Sequence, residues 1–291
     1  MAIQSVGVIG CGLMGHGIAQ VAATGGCEVT VVEADPTALD KGVKRIEGSL
    51  MKLVEKGKLQ ATEATAIRNR IHPSTKLSDV AQCDLVVEAI VENLDAKKSL
   101  FAELGRITKP SCILASNTSS FPIGEMGDAS GRPQRMVGLH FFNPVQLMAL
   151  VEVVRTTKTE ESAFKDAFEF GKRCGKTPVA AKDTPGFIVN RLLVPYLLEA
   201  IRMIERGDAT PEDIDTAMRL GCGYPMGPLH LLDYVGLDTT QFIADGWERR
   251  FPSEPLFKVP GELKDLVKQG RLGRKSGRGY YEWEGDKIKG K

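Results

Sequence analysis

The sequence lacks paired cysteine motifs, long apolar runs and any large net charge. Its six cysteines lie far apart with no C-x-x-C spacing, which argues against a metal cluster or a disulfide framework and favours reduced thiols. A formal net charge of +1 gives no overall field to attract nucleic acid or an anionic membrane. No apolar run approaches the length of a membrane span. We therefore expect no metal, no nucleic acid and no membrane among the partners of this chain.

The N-terminus passes directly into a strand pattern, without a charged and apolar leader before it. We therefore expect neither a signal peptide nor a transit peptide. Together with the scattered cysteines, this predicts a cytoplasmic location. An organelle matrix is the alternative if a presequence has been removed.

The length of the chain indicates more than one domain. Its 291 residues exceed a single hydrophobic core, and its composition (42% hydrophobic, 26% charged) is ordinary for a globular protein. Strand and helix patterns alternate up to about Ala181, and only helical patterns follow the break at Asp183-Thr184-Pro185-Gly186. The first of these helices is predicted to begin at Phe187, and Thr210-Pro211-Glu212-Asp213 is the start signal of the second. We predict an α/β domain over residues 1–184 and an all-helical domain over residues 185–291.

A glycine-rich loop near the N-terminus joins a predicted strand, Ser5 to Ile9, to a predicted helix. In the G-x-G-x-x-G pattern Gly10 permits the tight turn, Gly12 lets a pyrophosphate approach the backbone, and Gly15 lets the helix pack on the strand. The helix N-terminus then faces the phosphates. The alternative is a purely structural glycine turn. We assign the whole loop to a dinucleotide cofactor: Gly10, Gly12, Leu13, Met14 and Gly15.

An acidic residue ends the second predicted strand, Cys27 to Val32. Glu33 lies 23 residues after Gly10, where a carboxylate hydrogen-bonds the ribose hydroxyls and repels a 2′-phosphate. No arginine lies beside it, so the sequence favours NAD over NADP. Asp35 is a rival, but Pro36 follows it, which favours a place in the turn or at the start of the next helix. A Rossmann-like domain is the fold that this succession predicts.

Between residues 36 and 70 the pattern is helical, and this insertion is longer than a minimal crossover. Its lysine-rich face, which includes Lys56, is explained either by solvation or by contact with a ligand. Beyond the next buried strand, Cys83 to Ile90, lie Glu92 and Lys97. The carboxyl ends of parallel strands face the cofactor crevice, so both side chains are candidate cofactor contacts.

Five small polar residues, Ser116 to Ser120, follow the strand that ends at Ala115. Serine and asparagine side chains there, Asn117 and Ser119 in particular, can hydrogen-bond a substrate oxygen or a cofactor carboxamide. The alternative is a hydroxyl-rich helix cap, in which Ser119 or Ser120 precedes the helix near Ile123.

The stretch from Val137 to Glu152 holds a lone histidine and a lone acid on two apolar runs. Asn143-Pro144 separates the runs, because proline lacks an N–H and restricts the residue before it. His140 and Glu152 are therefore candidates for a base and the group that orients it. The alternative is a histidine satisfied within a sheet and an acid that follows it by chance.

Seven segments, in order along the chain, make it resemble the L-3-hydroxyacyl-CoA dehydrogenases, including the short-chain 3-hydroxybutyryl-CoA type. The resemblance covers nearly the whole length. It implies a Rossmann-like domain, an all-helical dimerisation domain and NAD-dependent interconversion of (S)-3-hydroxyacyl-CoA and 3-oxoacyl-CoA in fatty acid or butanoate metabolism. The segments are GCGLMGHGIAQ, VVEAIVEN, LASNTSS, GLHFFNPVQLMALVEVV, TPGFIVNRLLVPYLLEA, GYPMGP and GRKSGRGYY.

The resemblance also implies residue roles. His140 matches the catalytic base of the family and Glu152 its acidic partner, while Ser119 lies near the substrate oxygen and Asn190 helps to position the thioester. Where many members carry aspartate, this chain has Glu33, whose longer side chain should still reach the ribose. The remaining implied contacts are Glu33, Glu92, Lys97, Ser119 and Lys275 for NAD, and Ser49, Lys56, Ser119 and Asn190 for the CoA substrate. The apolar helices of the second domain predict a homodimer.

Two other functions stay open from the sequence. The first is a dehydrogenase of a free hydroxy acid, of the gulonate type, on the same fold, for which Ser49 and Lys56 would be irrelevant. The second is a non-catalytic NAD-binding protein, because a fold does not determine a function. The second gives no reason for four residues to occur together: Ser119, His140, Glu152 and Asn190.

Overall fold

The structure is a computed structural model that describes residues 3–290. The chain divides into two compact units, the first ending at Phe187 and the second beginning at Ile188. This division falls shortly after the boundary predicted at residue 184. The domain limits 1–184 and 185–291 stay a prediction.

Within the described part of the first unit, eight strands form one sheet in the order β3-β2-β1-β4-β5-β6-β7-β8. Only β7 runs antiparallel to its neighbour β6, and the other pairs are parallel. The chain reverses its direction of travel across the sheet between β1 and β4, the crevice at which such sheets bind ligands. The bounds are β1 Ser5–Ile9, β2 Glu28–Val32, β3 Ile71–Ser74, β4 Leu85–Glu88, β5 Ile113–Ser116, β6 Met136–Phe141, β7 Leu150–Arg155 and β8 Thr177–Lys182.

The central strands are mostly apolar because helices cover both faces of the sheet. Val6 and Val8 of β1 are fully buried, as are Val86 and Val87 of β4. The covering helices of this unit are α1 Gly15–Thr24, α2 Pro36–Glu55, α3 Ala61–Asn69, α4 Leu94–Ile107, α5 Ile123–Ala129 and α6 Glu161–Arg173.

The helical insertion is two helices rather than one continuous pattern. Asp35 starts α2 by accepting a hydrogen bond from the backbone N–H of Thr37 at 2.8 Å, so it is a helix cap and not a rival of Glu33. The break follows at Gly57, whose φ of +66° favours glycine. A capping box between Gln60 and Glu63 then begins α3.

The second unit is helical, as predicted. Its long helix α7 begins at Val189 and not at Phe187, because Phe187 has a φ of +53° that a helix does not accept. Thr210 starts α8 by accepting from the N–H of Asp213, which confirms the predicted start signal. The elements are α7 Val189–Glu205, α8 Pro211–Cys222, α9 Pro228–Val235, α10 Leu237–Arg250, α11 Gly261–Lys268, β9 Trp283–Glu284 and β10 Lys287–Ile288.

The basic C-terminal segment is docked rather than free. Asp233 is fully buried and accepts hydrogen bonds from the backbone N–H groups of Tyr280 and Tyr281 and from the indole of Trp283. Burial raises the pKa of the Asp233 carboxyl above its usual value, although these three donors oppose the rise. The segment that carries Lys275 precedes these three residues, so its C-terminal end is held in place by Asp233.

Candidate active site

The glycine loop has the backbone conformation that its sequence predicts. Gly10 has a φ of +96°, and a Cβ there would lie 2.6 Å from the carbonyl oxygen of Ala89. A Cβ at Gly15 would lie only 1.8 Å from the carbonyl oxygen of Gly10. A Cβ at Gly12, in contrast, would meet no described atom within 4 Å. The loop therefore leaves open space where a pyrophosphate would approach, which fits a dinucleotide.

The residues between the glycines complete this loop. Leu13 is 63% exposed, and Met14 is half-buried at the position preceding α1. The side chain of Met14 makes no capping hydrogen bond, so it leaves the first amides of α1 to an anion.

Glu33 is bound to the same loop. Its Oε2 accepts from the backbone N–H of Cys11 at 3.1 Å, and its Oε1 accepts from the N–H of Asp35 at 3.4 Å. The half-buried carboxylate thus lies beside the loop at the end of β2. This is the position from which an acid meets the ribose hydroxyls of a dinucleotide.

His140 and Glu152 form a direct pair. They occupy opposite positions on the antiparallel strands β6 and β7, and the imidazole Nδ1 lies 2.6 Å from Glu152 Oε2. The side chains are 7% and 0% exposed, respectively. Because a carboxylate can only accept, Nδ1 carries the hydrogen and Nε2 keeps a free lone pair. The rings of Phe142 and Phe187 lie 4.5 and 5.5 Å from the imidazole, measured between centroids.

The polar segment after β5 is attached to both neighbouring strands. Asn117 Oδ1 accepts from the backbone N–H of Phe141, at the end of β6. Glu92, which follows β4, accepts from Thr118 Oγ1 at 2.5 Å and from the N–H of Ser119 at 3.3 Å. The Oγ of Ser119 lies 3.2 Å from that of Ser120. Hydrogen bonds therefore join the loop after β4 to the segment after β5, and that segment to the end of β6.

The alternative of a serine cap is wrong. Helix α5 begins at Ile123, and the preceding position is Pro122. Asp183 satisfies the first amides instead, accepting from the N–H of Ile123 at 2.9 Å and of Gly124 at 2.8 Å. Ser119 and Ser120 thus do not cap this helix.

Lys97 lies deeper than the sequence suggested. Its side chain is 1% exposed, and its ammonium lies 2.6 Å from Glu88 and 3.1 Å from Glu92. Glu88 also accepts from Ser116 Oγ at 2.6 Å and from the N–H of Ile90 at 2.8 Å. Sequence reasoning missed Glu88 as a site residue, and the available signal was an acid at the end of a buried apolar strand.

The remaining candidates lie on two helices and a short turn. Ser49 is half-buried on α2, and Lys56 is exposed at its C-terminus. Seven residues are almost two helical turns, so the two side chains share one face of that helix. In the second unit, Asn190 is half-buried in the first turn of α7, and Lys275 pairs with Asp238 at 2.6 Å.

Comparisons with known proteins agree with these features. The model of the 3-hydroxyacyl-CoA dehydrogenase NAD-binding domain matches residues 5–184, and that of the family's C-terminal domain matches residues 186–283. The mitochondrial hydroxyacyl-coenzyme A dehydrogenase of Rattus norvegicus is 51% identical, over 97% of this chain and 92% of its own. The 3-hydroxybutyryl-CoA dehydrogenase of Mycobacterium tuberculosis is 48% identical, over 97% and 99%.

A solved structure is also similar. The crystal structure of (S)-3-hydroxybutyryl-CoA dehydrogenase from Ralstonia eutropha superposes with a TM-score of 0.94 and 39% identity, over 97% of this chain and 100% of that one. These matches confirm the fold class and the resemblance drawn from the seven segments. The chain therefore belongs to the 3-hydroxyacyl-CoA dehydrogenase family, and it is an enzyme whose cofactor is NAD.

Proposed function

We propose that the chain interconverts (S)-3-hydroxyacyl-CoA and 3-oxoacyl-CoA, in fatty acid or butanoate metabolism. The buried pair of His140 and Glu152 carries this proposal. Oxidation of a secondary alcohol removes a proton from oxygen and a hydride from carbon, so the protein must supply a base that works near neutral pH. NAD, when bound, supplies the hydride acceptor.

Each catalytic residue then has one task. His140 accepts the hydroxyl proton at Nε2, and Glu152 keeps Nδ1 protonated and stabilises the imidazolium that forms. Ser119 donates to the substrate oxygen, and Asn190 holds the thioester. In the reductive direction the imidazolium returns the proton to the developing alkoxide. The hydrogen bond of 2.6 Å between His140 and Glu152 supports this division of labour.

The cofactor contacts follow from the loops at the carboxyl ends of the strands. Gly10, Gly12 and Gly15, with Leu13 and Met14 between them, would hold the pyrophosphate. Glu33 would bind the ribose hydroxyls, and its charge would disfavour the 2′-phosphate of NADP. The further predicted contacts are Glu92, Asn117, Ser119 and Lys275, whereas the burial of Lys97 supports a role in holding Glu92.

The CoA moiety is assigned to α2. An exposed lysine suits a phosphate, because its ammonium is mobile and always charged at neutral pH. Lys56 and Ser49, on one face of α2, would therefore contact CoA. A free hydroxy acid would need neither residue.

We further propose a homodimer formed through the second unit. Large apolar side chains that are more than half exposed there include Leu192, Leu220 and Phe242. Such surfaces mark protein interfaces. The mass of the protein in solution, compared with the 31.6 kDa of one chain, tests this assembly.

The residue chemistry also supports a reducing compartment, the cytoplasm or an organelle matrix. All six cysteines are free thiols, and five of them are buried. Among residues 3–290, none of the helices combines the length and apolar character of a membrane span. The thiol state of the protein isolated under alkylating conditions tests the compartment, because disulfides between these cysteines would contradict it.

The substrate class is tested by a direct comparison. We expect NADH oxidation with acetoacetyl-CoA and almost none with free acetoacetate at the same concentration. Lys56→Ala should raise KM for acetoacetyl-CoA with little change in kcat, since a contact remote from the reacting carbon adds uniform binding. Lys58→Ala is the matched control, because Lys58 is another exposed lysine just beyond the same helix. Equal rates on the free acid would contradict the proposal.

A further inference from the structure

Glu88, Lys97 and Glu92 form a buried charged cluster that acid–base catalysis does not require. Glu88 and Lys97 are 0% and 1% exposed at their side chains, and Glu92 is 30% exposed. Two carboxylates and one ammonium leave the cluster with a formal charge of −1. The two ions that are almost fully buried, Glu88 and Lys97, balance each other, and the half-buried Glu92 carries the excess negative charge.

Each of the two carboxylates of the cluster accepts from three donors. Glu88 receives three donors: the ammonium of Lys97, the hydroxyl of Ser116 and the N–H of Ile90. Glu92 receives Lys97, Thr118 Oγ1 and the N–H of Ser119. Both carboxylates thus have their oxygens engaged by donors from the neighbouring strand ends. The nearby Lys98 adds no net charge, because it pairs with Glu125 at 3.5 Å.

The sheet register places the cluster in the nicotinamide half of the crevice. The glycine loop and Glu33 follow β1 and β2, so the adenosine half of NAD belongs to that side and the nicotinamide to the side of β4, β5 and β6. Glu88 is level with Ser116 and Gly138 on these three strands, and His140 follows two residues later on β6. Standard strand spacings put the Cα atoms of Glu88 and His140 roughly 12 Å apart.

The nicotinamide, when bound, would take its hydride from the carbon whose hydroxyl meets His140. The loops that carry Glu92 and Ser119, beside the proposed base, would therefore hold the nicotinamide ring. Oxidised nicotinamide bears a positive charge, and reduced nicotinamide is neutral. A net negative charge beside the ring stabilises the first form and leaves the second almost unaffected.

We propose that the Glu88–Lys97–Glu92 cluster makes the site prefer NAD⁺ to NADH, so that its charge sets the redox balance of the bound cofactor. The inference rests on the proposed function, because the place of the nicotinamide follows from His140 as the base and because the chain must bind both cofactor forms. Glu152 carries a further carboxylate in the same half of the sheet, so neutralising Glu88 shifts the preference without abolishing it.

The test is the ratio of the dissociation constants for NAD⁺ and NADH, measured by titration without any acyl-CoA. Glu88→Gln removes one negative charge, and Ser116 Oγ can turn to accept from the new amide. Coulomb's law, with an effective dielectric constant of about 20 and a separation of about 10 Å, predicts a rise of about tenfold in Kd(NAD⁺)/Kd(NADH). If that variant does not fold, Glu92→Gln carries the test, and its ratio moves in the same direction.

Lys97→Met distinguishes an effect of charge from structural damage, because it removes a positive charge, instead of a negative one, from the same cluster. It should leave the ratio unchanged or lower it, even if both affinities fall. The controls are Glu103→Gln, at an exposed position of α4, and Lys98→Met, whose side chain is 41% exposed. Both should leave the ratio within about twofold, because solvent screens such charges. An unchanged ratio in Glu88→Gln and Glu92→Gln, or a raised one in Lys97→Met, overturns the inference.

The two proposals fail in different ways. A wild-type protein that binds neither dinucleotide contradicts both the proposed function and this inference. A protein that binds both forms and reduces acetoacetyl-CoA, but whose Kd ratio does not respond to Glu88→Gln or Glu92→Gln, contradicts this inference alone.

Discussion

The sheet holds two histidine–glutamate pairs whose surroundings differ. His72 Nε2 lies 2.9 Å from Glu28, with side chains that are 57% and 64% exposed. The pair of His140 and Glu152 is almost fully buried. Water screens the first pair and leaves its imidazole a surface group, whereas the second is held in one tautomer away from bulk solvent. Burial therefore decides which histidine suits catalysis.

The catalytic assignment predicts graded losses of turnover. Glu152→Gln can still accept from Nδ1, but it no longer stabilises the imidazolium, so kcat for acetoacetyl-CoA reduction should fall by at least about 10²-fold. His140→Gln should lose as much or more, because no group remains to transfer the proton. His72→Gln is the matched control and should retain wild-type kcat. NADH binding, measured by fluorescence, should persist in all three variants.

Near-wild-type turnover by His140→Gln would refute the base assignment. Equal losses in His140→Gln and His72→Gln would point to general damage of the sheet instead.

For single residues, the sequence indicated which side chains belong to the site better than it indicated their hydrogen-bonding partners. His140 and Glu152 stood out as lone polar groups in apolar runs, but their pairing depends on the register of β6 and β7. Glu88 was overlooked because its meaning depends on Lys97 and Ser116, which are 9 and 28 residues away. A charged residue in a strand becomes informative only when its neighbours in space are known.

Among the elements, the connection between β6 and β7 controls the register of the catalytic pair. It spans residues 142–149 and contains the cis peptide bond before Pro144. The ammonium of Lys176 donates to the carbonyl oxygens of Val145 and Met148, and Gln146 donates to Gln20 of α1 at 3.1 Å. Burial lowers the pKa of Lys176 from its usual value. Hydrogen bonds therefore hold this connection on one side to Lys176, just before β8, and on the other side to Gln20 of α1.

Lys176→Met should loosen this connection. It leaves two carbonyl oxygens without their donor, which costs about 1–3 kcal/mol of unfolding free energy for buried groups. The catalytic pair would be held less accurately, so kcat should fall while KM for NADH changes little. Lys172→Met is the control: Lys172 is an exposed lysine paired with Glu169, and such surface pairs contribute roughly 0–1 kcal/mol.

Chemical denaturation and steady-state kinetics on the two lysine variants measure both effects. Equal stability and equal kcat in Lys176→Met and Lys172→Met would contradict this role.

The helices and strands were predictable where the apolar residues follow a single repeat along the sequence. The apolar runs of β1 and β4 and the start of α8 at Thr210 agree with the structure. The insertion was not resolved into α2 and α3, because helical spacing continues on both sides of Gly57. The start of α7 was misplaced because an apolar Phe187 fits the periodic pattern, while its left-handed backbone is imposed by the turn after Gly186.

For the molecule as a whole, long motifs in a constant order predicted the family and the α/β and helical division of the chain. Composition predicted that nucleic acid and membranes are not partners, which stays a prediction, and it did not indicate chemistry. What the sequence did not provide is the network that joins the loops, such as Asp183 at the start of α5 or Asn117 at the end of β6. Those contacts link residues far apart in sequence, and only the assembled sheet brings them together.

The stability of the whole first unit should depend on pH through Asp84, which precedes β4. Its carboxylate accepts from the N–H groups of Gln4 and Ser5 and from Lys109 Nζ at 2.6 Å. Although burial acts to raise the pKa of Asp84, these hydrogen bonds outweigh it and lower the pKa to about 2. An unfolded aspartate titrates near pH 3.9, roughly. The unfolded state therefore binds the proton first as the pH falls.

Because the folded pKa is the lower one, the stabilisation by Asp84 is complete above about pH 5 and is lost as the pH falls from about 4 towards 2. Asp84→Asn should thus destabilise the protein at pH 7 and do so progressively less at pH 4 and pH 3, measured by guanidinium denaturation. Asp128→Asn, which removes a pair with Lys158 that is 56% exposed on both sides, should cost little at any pH. A loss in Asp84→Asn that is the same at pH 7 and pH 3 would show that the charge of this carboxylate does not stabilise the fold.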